Sequence, residues 1–532
     1  MLEKMNCCRN SITYVRLRLA LFIFLFFFIS LIKGFAQEFC DRKGEKCLFA
    51  EEKQFNWLFK KEIINEKTYQ GDDLSLSSAI SIALENNESL KIEKISPIVA
   101  KTRIETEKAA FAPSFSASVS ASSRNTETLQ DTTFRKNSSN SNSASAEVVK
   151  KNASGLKTTI GYSARRDRGV QPSVHSHSLN LNLTQPLKKG GSKEVNLVSL
   201  RRAELDYQIS EHEFNAYLSS FVSNVERQYW NYYLSVKQLD IVEESKKLAA
   251  TQVMELRKRI KAGDKPESDL AASEAELAIR EEDLIDAQSG VALQAVSLNR
   301  LLGISKLNAS LTFPQIIDFP QAPELPFTIQ EALERALKNR PELKEMEAQL
   351  EKNELEVVAT KNGMLPRLDF FINLGKTGYS RSFGSAHPSF SSVDPYEASA
   401  GFIYERPLNR RSERASLKRA ELSLEKQKLA SENLKNMIIE DVAKAYIEYF
   451  KSKEQISATN ASLSKQAEKL RVEEVYFNVG KTTAFQVMQA QRDLTAAKHA
   501  KLKAEVDAKL AYSKLLHSIG ILLESANIQL QN

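Results

Sequence analysis

The stretch GMLPRLDFFINLG, residues 363–375, decides the fold. Ahead of it, residues 328–361 read as helix. From Leu368 apolar side chains fall at every second position, Leu368, Phe370, Ile372 and Leu374, while Arg367, Asp369 and Asn373 take the other face. That is strand alternation, and it begins at Pro366, a residue that ends a helix ladder and presets an extended entry. Earlier, AFAPSFSASVSAS, residues 110–122, makes the same switch at Pro113.

The two switches belong to copies of one unit. Pro113 and Pro366 lie 253 residues apart, and so do Leu84 and Leu337, Asn86 and Asn339, and Leu90 and Leu343. A second ungapped register, offset by 217, joins RRAEL (201–205) to KRAEL (418–422). It runs through Val225 and Val442, Tyr229 and Tyr446, Tyr232 and Tyr449, and Gly263 and Gly480, to Gly303 and Gly520. The chain is a repeat written twice. The change of offset gives the first copy about 36 extra residues between Pro113 and Arg201, where its strands fall.

The leader shifts the charge balance. Residues 1–36 carry five basic side chains and one acidic one, so they account for four of the formal +7, and the remainder is near +3. That is too little to argue for nucleic acid. Arg9, Arg16 and Arg18 precede the apolar run LALFIFLFFFISLI (19–32), and Gly34 and Ala36 suit cleavage before Gln37. This reads as a signal peptide, the run being shorter than a spanning helix usually needs. Cys7 and Cys8 leave with it, and Cys40 and Cys47 remain as either a small disulfide loop or two free thiols. Beyond the leader no run is apolar enough to cross a membrane as a helix. Any membrane entry must use strands.

Proline marks the rods: none of the fourteen lies between Leu187 and Lys265, between Glu267 and Phe313, or after Pro407. Leu218, Val222, Val225, Tyr229, Tyr232, Val236 and Leu239 alternate spacings of four and three, a coiled-coil seam. Leu270, Leu277, Leu284, Val291 and Leu298 repeat every seven. KAGDKPES and NVGKTTAF, with Gly263 and Gly480 at the shared position, turn each rod back on itself. The expected organisation is a signal peptide (1–36), an N-terminal periplasmic extension (37–73), a first repeat (74–312), a linker (313–326) and a second repeat (327–532). Strands fall within 114–186 and 367–407, and helical hairpins over 190–304 and 409–520. The second copy has room for two strands, about 367–376 and 397–407. The first has 114–123 and 176–186, with ASAEVVKK (144–151) and LKTTIGYSAR (156–165) between them as either an added hairpin or extensions of the same strands. RNTETLQDTTFRKNSSNSNS (124–143) reads as a polar loop.

Strands with one apolar and one polar face, at the head of long rods, cannot close a barrel within one chain. Open edges in hydrocarbon leave unpaired backbone groups that cost several kcal/mol each, roughly, so copies must share one barrel. The serine face of SFSASVSAS and the Asn/Thr face of LNLNLTQ suit a wet lumen; the Leu, Phe and Val faces suit lipid.

With these motifs in order, twice, the sequence resembles the TolC-type outer membrane efflux and secretion channels over about residues 74–521. The resemblance rests on Ala83-Leu84 with Asn87 and Leu90, on Ala336-Leu337 with Asn339 and Leu343, and on the helix-to-strand prolines Pro113 and Pro366. It rests also on TQPL and ERPL at strand exit (Pro186 and Pro407) and on the glycine tips. It implies a mainly α fold with membrane β: tandem long α-hairpins forming a periplasmic α-barrel, continuous with an outer membrane β-barrel shared between protomers. It further implies a homotrimer with a 12-stranded barrel and a 12-helix tunnel, set in outer membrane lipid. The trimer would meet a periplasmic adaptor and an inner membrane pump, with no cofactor, no catalysis and no nucleic acid. It also implies localisation in the outer membrane with a long periplasmic extension.

In the family's pattern, acidic residues a few positions past the second tip glycine close the entrance. Here Gln486 and Gln489 stand there, whereas Asp269 takes the first-copy position. A ring of three Asp269 carboxylates is a candidate gate or cation-selectivity element, against an ordinary solvated helix residue. Gly263, Asp264, Gly480, Lys481 and Thr482 are candidate adaptor contacts, against plain connectors. His175 and His177 share a strand face with no third ligand, so no metal site is assigned. Two other classes compete, a periplasmic coiled-coil adaptor and a structural scaffold. The first would carry one hairpin and separate strand-rich domains, and the second needs neither export nor matched strands.

Overall fold

The computed structural model describes residues 73–130, 133–168, 174–263, 267–304, 314–382 and 396–528. Cys40, Cys47, Asp264, the expected signal peptide and nearly all of the expected extension lie outside the described residues. All described residues fall in one compact unit, Tyr69–Ile528.

Each repeat opens with a broken helix. Leu76–Asn86 stops at Asn87, whose side chain accepts from the Leu90 amide at 3.1 Å and so caps Glu88–Ala109. In the second copy Ile329–Asn339, started by a capping box of Thr328 and Glu331, gives way at Arg340 to Pro341–Gly363. The sequence reads 328–361 as one helix; the break falls at matched positions, Asn87 and Arg340. Pro341 suits a first helical turn, where its missing N–H has no partner to lose. Pro113 and Pro366 then stand immediately ahead of the first strand residues, Ser114 and Arg367.

The strands, in chain order, are β1 (Asp73–Leu74), β2 (Ser114–Gln130), β3 (Thr133–Lys151), β4 (Lys157–Arg168), β5 (Val174–Pro186), β6 (Gln315–Ile316), β7 (Arg367–Ser380) and β8 (Tyr396–Glu405). β1 and β6 make a short parallel pair. The others form one antiparallel sheet in the order β2-β3-β4-β5-β7-β8. Two expectations change here. Of the stretch 124–143, expected as a polar loop, residues 124–130 and 133–143 instead form the paired outer ends of β2 and β3. A backbone ladder needs no apolar core when it continues a wide sheet, and Ser and Thr make cross-strand hydrogen bonds of their own. The extra residues of the first copy are an added pair of strands, so the described residues supply six to this sheet where a 12-stranded barrel from three copies needs four.

From the sheet the chain enters the rods. Lys193–Asn196 and then Val198–Lys261, 64 residues, lead away, and Ser268–Leu302 returns. Arg411–Asn478, 68 residues, and Ala484–Ile519 repeat the pattern. At 1.5 Å per residue the two long helices are about 96 and 102 Å. The seam residues Leu218, Val222, Val225, Tyr229 and Tyr232 are buried, in one cluster with Val442, Tyr449, Leu515 and Ile519. The linker wraps this cluster through hydrogen bonds that apolar periodicity does not announce. Tyr232 donates its hydroxyl to the Pro314 carbonyl at 3.1 Å, and its repeat mate Tyr449 donates to the Pro323 carbonyl at 2.7 Å. The Tyr229 hydroxyl sits 2.9 Å from the Leu74 carbonyl and 2.8 Å from an Asp318 carboxylate oxygen. Toward the tips the seam turns polar: Ser273 and Glu276 are buried, while Leu277 of the expected heptad is half-buried.

Candidate functional site

The sheet separates two chemistries, row by row. One row crosses all six strands as Phe115, Val148, Ile160, Leu181, Leu374 and Ala398, each the direct partner of the next. Phe115, Val148, Ile160 and Leu374 in it are exposed, although they are large and apolar. On the opposite face, Ser118, Ser145, Ser163, Ser178 and Thr377 are likewise consecutive partners. Ser118 and Ser145 share a hydrogen bond of 2.8 Å, and Ser163 and Ser178 one of 2.6 Å. Because strand side chains alternate, a pairing slip of one residue would exchange the two faces, so the register itself is specified by this separation. His175 and His177 lie on the apolar side of β5, and His177 Nδ1 shares a 2.6 Å hydrogen bond with the Tyr162 hydroxyl. Among the described residues no group of three or more His, Cys, Asp or Glu could hold a metal.

At the far ends of the rods, Gly263 and Gly480 adopt φ of 82° and 75°, the left-handed region where a Cβ is strained. Lys481 N donates to the Tyr476 carbonyl at 2.8 Å and closes the second tip. Arg259 donates to Asn478 at 3.0 Å, joining the two tips of one chain. Gly263, Gly480 and Lys481 are exposed and Thr482 half-buried. Asp269 is half-buried in the first turn of its helix, Gln486 is exposed, and Gln489 donates to Asp493 at 3.0 Å.

Sequence reading misses the ion pairs just above the tips. Glu276, 5% exposed, accepts from Arg280 one turn on at 2.9 Å and from Arg492 of the other hairpin at 2.9 Å. Burial alone would raise its carboxyl, but the hydrogen bond from Arg492 and the charge of Arg280 outweigh it and hold the group below its usual range. Asp493, which matches Glu276 through the 217 offset, accepts from Lys469 at 2.7 Å and is held low chiefly by that bond. An acid at matched positions of both returning helices is the signal that a repeat alignment offers for this layer.

The family model of the outer membrane efflux proteins matches residues 155–304 and 332–521, and the chain belongs to that family. Its fold is similar to that of the CusC channel, with a TM-score of 0.63 at 20% identity, covering 84% of this chain and 92% of that one. It is similar also to the CmeC outer membrane channel of Campylobacter jejuni, at 0.64 and 15%, covering 84% and 86%. VceC of Vibrio cholerae matches at 0.62 and 15%, covering 84% and 96%. No curated protein matches the sequence. The family places the chain in the outer membrane as an efflux channel protein, with its helical rods in the periplasm. Among the described residues no helix is long and apolar enough to cross a membrane.

Proposed function

We propose that this chain is the passive exit duct of a tripartite efflux pump or a type I secretion machine, carrying substrates from an inner membrane pump across the periplasm and outer membrane. The observation that carries the reading is the two-faced sheet on top of two hairpins about 100 Å long. The Phe115–Ala398 row meets lipid and the Ser118–Thr377 row meets a wet lumen, which is the distribution a transmembrane barrel requires. One chain leaves β2 and β8 as open edges, and unpaired edges are not tolerated in hydrocarbon. Three copies close the wall, with the tips around Gly263 and Gly480 meeting a periplasmic adaptor. The duct needs no cofactor and performs no chemistry, since the energy comes from the pump. A freestanding adaptor or scaffold has no use for an exposed apolar row across six strands.

The test is native mass measurement of detergent-purified protein, together with export by cells carrying the cognate pump. A trimer whose deletion abolishes export supports the reading. A stable membrane-inserted monomer, or unaltered export in the deletion strain, overturns it.

A further inference from the structure

The six sheet strands among the described residues of each chain are more than a twelve-stranded duct can use. Resting on the exit-duct reading, we propose that three copies close an eighteen-stranded exit barrel, as wide as the helical tunnel beneath it, that passes cargo too bulky for a twelve-stranded exit.

The inserted strands β3 and β4 are part of the wall. They pair with each other over twelve residues, from Asn140↔Arg168 to Lys151↔Lys157, and their register with β2 and β5 is unbroken for seventeen and eleven pairs, from Ser114↔Val149 to Gln130↔Thr133 and from Lys157↔Thr184 to Asp167↔Val174. Val148 and Ile160 carry the apolar row across them, and Ser145 and Ser163 carry the hydroxyl row. An appendage lying outside the barrel would have no reason to match both faces. Above Val119 and Ala144 the β2–β3 ladder turns polar on both sides through Ser122↔Ser141, Ser123↔Asn140 and Asn125↔Ser138, and Leu129↔Phe134 near its outer end brings back one apolar pair, so the continuous apolar face that suits hydrocarbon is confined to the lower part.

The turn joining β3 to β4 is seated where the wall meets the rods. Gln185 Nε2 donates to the Ser154 carbonyl at 3.0 Å. Gly155 has φ of 86°, and a Cβ there would come within 2.5 Å of the Gly190 carbonyl and 2.7 Å of Pro186 Cγ. The hairpin is therefore locked against the strand exit at Pro186.

Edge geometry allows closure. β2 runs outward and β8 inward, so the β8 edge of one copy meets the β2 edge of the next antiparallel, as in every other pair of the sheet. The circumferences then agree. Each chain brings four helix ends to the sheet, at Ala109, Lys193, Gly363 and Arg411. Twelve helices spaced at 8–10 Å have a circumference of roughly 96–120 Å. Eighteen strands spaced at about 4.8 Å and tilted about 40° span roughly 110 Å, whereas twelve span roughly 75 Å. The added hairpins remove the constriction that twelve strands would impose, and they widen the exit about 1.5-fold in diameter and about twofold in area.

The test compares the full chain with a variant lacking residues 131–173, which joins the outward end of β2 directly to the start of β5 and leaves four strands. In both, Cys7, Cys8, Cys40 and Cys47 are replaced by serine and Ser178→Cys puts one thiol on the hydroxyl face. Intact cells are then labelled with maleimide-polyethylene glycols of graded mass. The full chain should accept polymers with a cut-off radius about 1.5-fold larger, and an experimental structure of the trimer should show eighteen strands. Equal cut-offs, or a twelve-stranded trimer with residues 133–168 outside the wall, overturn the proposal. If the deletion variant does not assemble, the strand count in the full-length trimer decides by itself. A monomeric protein would overturn the duct reading instead, so the two failures are distinguishable.

Discussion

Arg492 of the second hairpin donates from Nε to Glu276 of the first at 2.9 Å, joining helices 216 positions apart in sequence. Glu276 is buried and Arg492 about half exposed, and Arg280 holds the other carboxylate oxygen. Removing Arg492 leaves a buried carboxylate with one guanidinium, a loss of about 1–3 kcal/mol. Arg492→Ala should therefore speed amide exchange over residues 484–500 by roughly 5- to 150-fold at pH 7. The pH dependence comes from the lowered carboxyl. The stabilisation is complete above the ordinary carboxylate value and fades as pH falls through the lowered folded-state value. Exchange corrected for intrinsic rates should thus converge between wild type and variant in strong acid. Equal protection at pH 7 would remove the clasp.

The matched tyrosines give an independent stability prediction. Tyr232→Phe and Tyr449→Phe each delete a hydrogen bond to the linker while keeping the ring, so each should cost about 1 kcal/mol. The double variant should show their sum within about 0.5 kcal/mol, because the two bonds reach separate carbonyls. Urea midpoints of the purified protein measure both. An unchanged midpoint in the double variant would mean that the linker is held by packing alone.

These two layers show what the sequence makes legible. The 253 and 217 offsets, the prolines at 113 and 366 and the seam from Leu218 to Tyr232 declare rods, strands and their order, because steric rules and periodicity act locally. The break at Arg340 is less visible, since proline in a first turn looks like proline inside a helix until the cap is seen. The strands over 124–130 and 133–143 are hidden for a different reason: Ser, Thr and Asn favour loops on their own, and only pairing with a neighbouring strand makes them sheet. Glu276 with Arg492, and Tyr232 with Pro314, are long-range polar contacts that no local pattern encodes. Asp269, Gln486 and the tip residues are placed on the rods, but their roles depend on neighbouring copies.

The proline switch predicts an assembly defect. Pro366 stands between Gly363, the last residue of a helix, and Arg367, the first of β7. Alanine there permits the helix to run on, which would displace Leu368 and its partner Tyr404 from register. Pro366→Ala should lower the yield of assembled trimer in the outer membrane severalfold. Pro388→Ala, outside the described residues, should not. Equal yields on semi-native gels would take proline out of the account.

The tips should separate docking from assembly. At Gly480 an added Cβ meets nothing within 4 Å, so Gly480→Val acts through backbone strain alone. A non-glycine residue in the left-handed region costs about 1–2 kcal/mol, enough to reshape a turn and too little to unfold a rod held along its whole length. Export should fail while trimer formation and barrel insertion persist, and a photocrosslinker at Thr482 should capture a periplasmic adaptor. Normal export in Gly480→Val, or no capture with the pump present, would reduce the tips to connectors.

The last prediction concerns charge at the entrance. Asp269 lies in the first turn after the first tip, while Gln486, two residues into its helix, is exposed and neutral. Gln489 is already engaged with Asp493, which leaves Gln486 as the position in the second hairpin where a new charge would face open space. If three Asp269 carboxylates surround the axis, they attract cations and repel one another, so Asp269→Asn should lower cation preference in planar-bilayer conductance and blunt block by multivalent cations. Gln486→Asp should act in the opposite sense, strengthening both. The pair is informative because a general loosening of the tips would change conductance in the same direction for either variant. Opposite shifts in selectivity would locate the entrance ring at these two positions, and unchanged selectivity in both would place Asp269 among ordinary solvated helix residues.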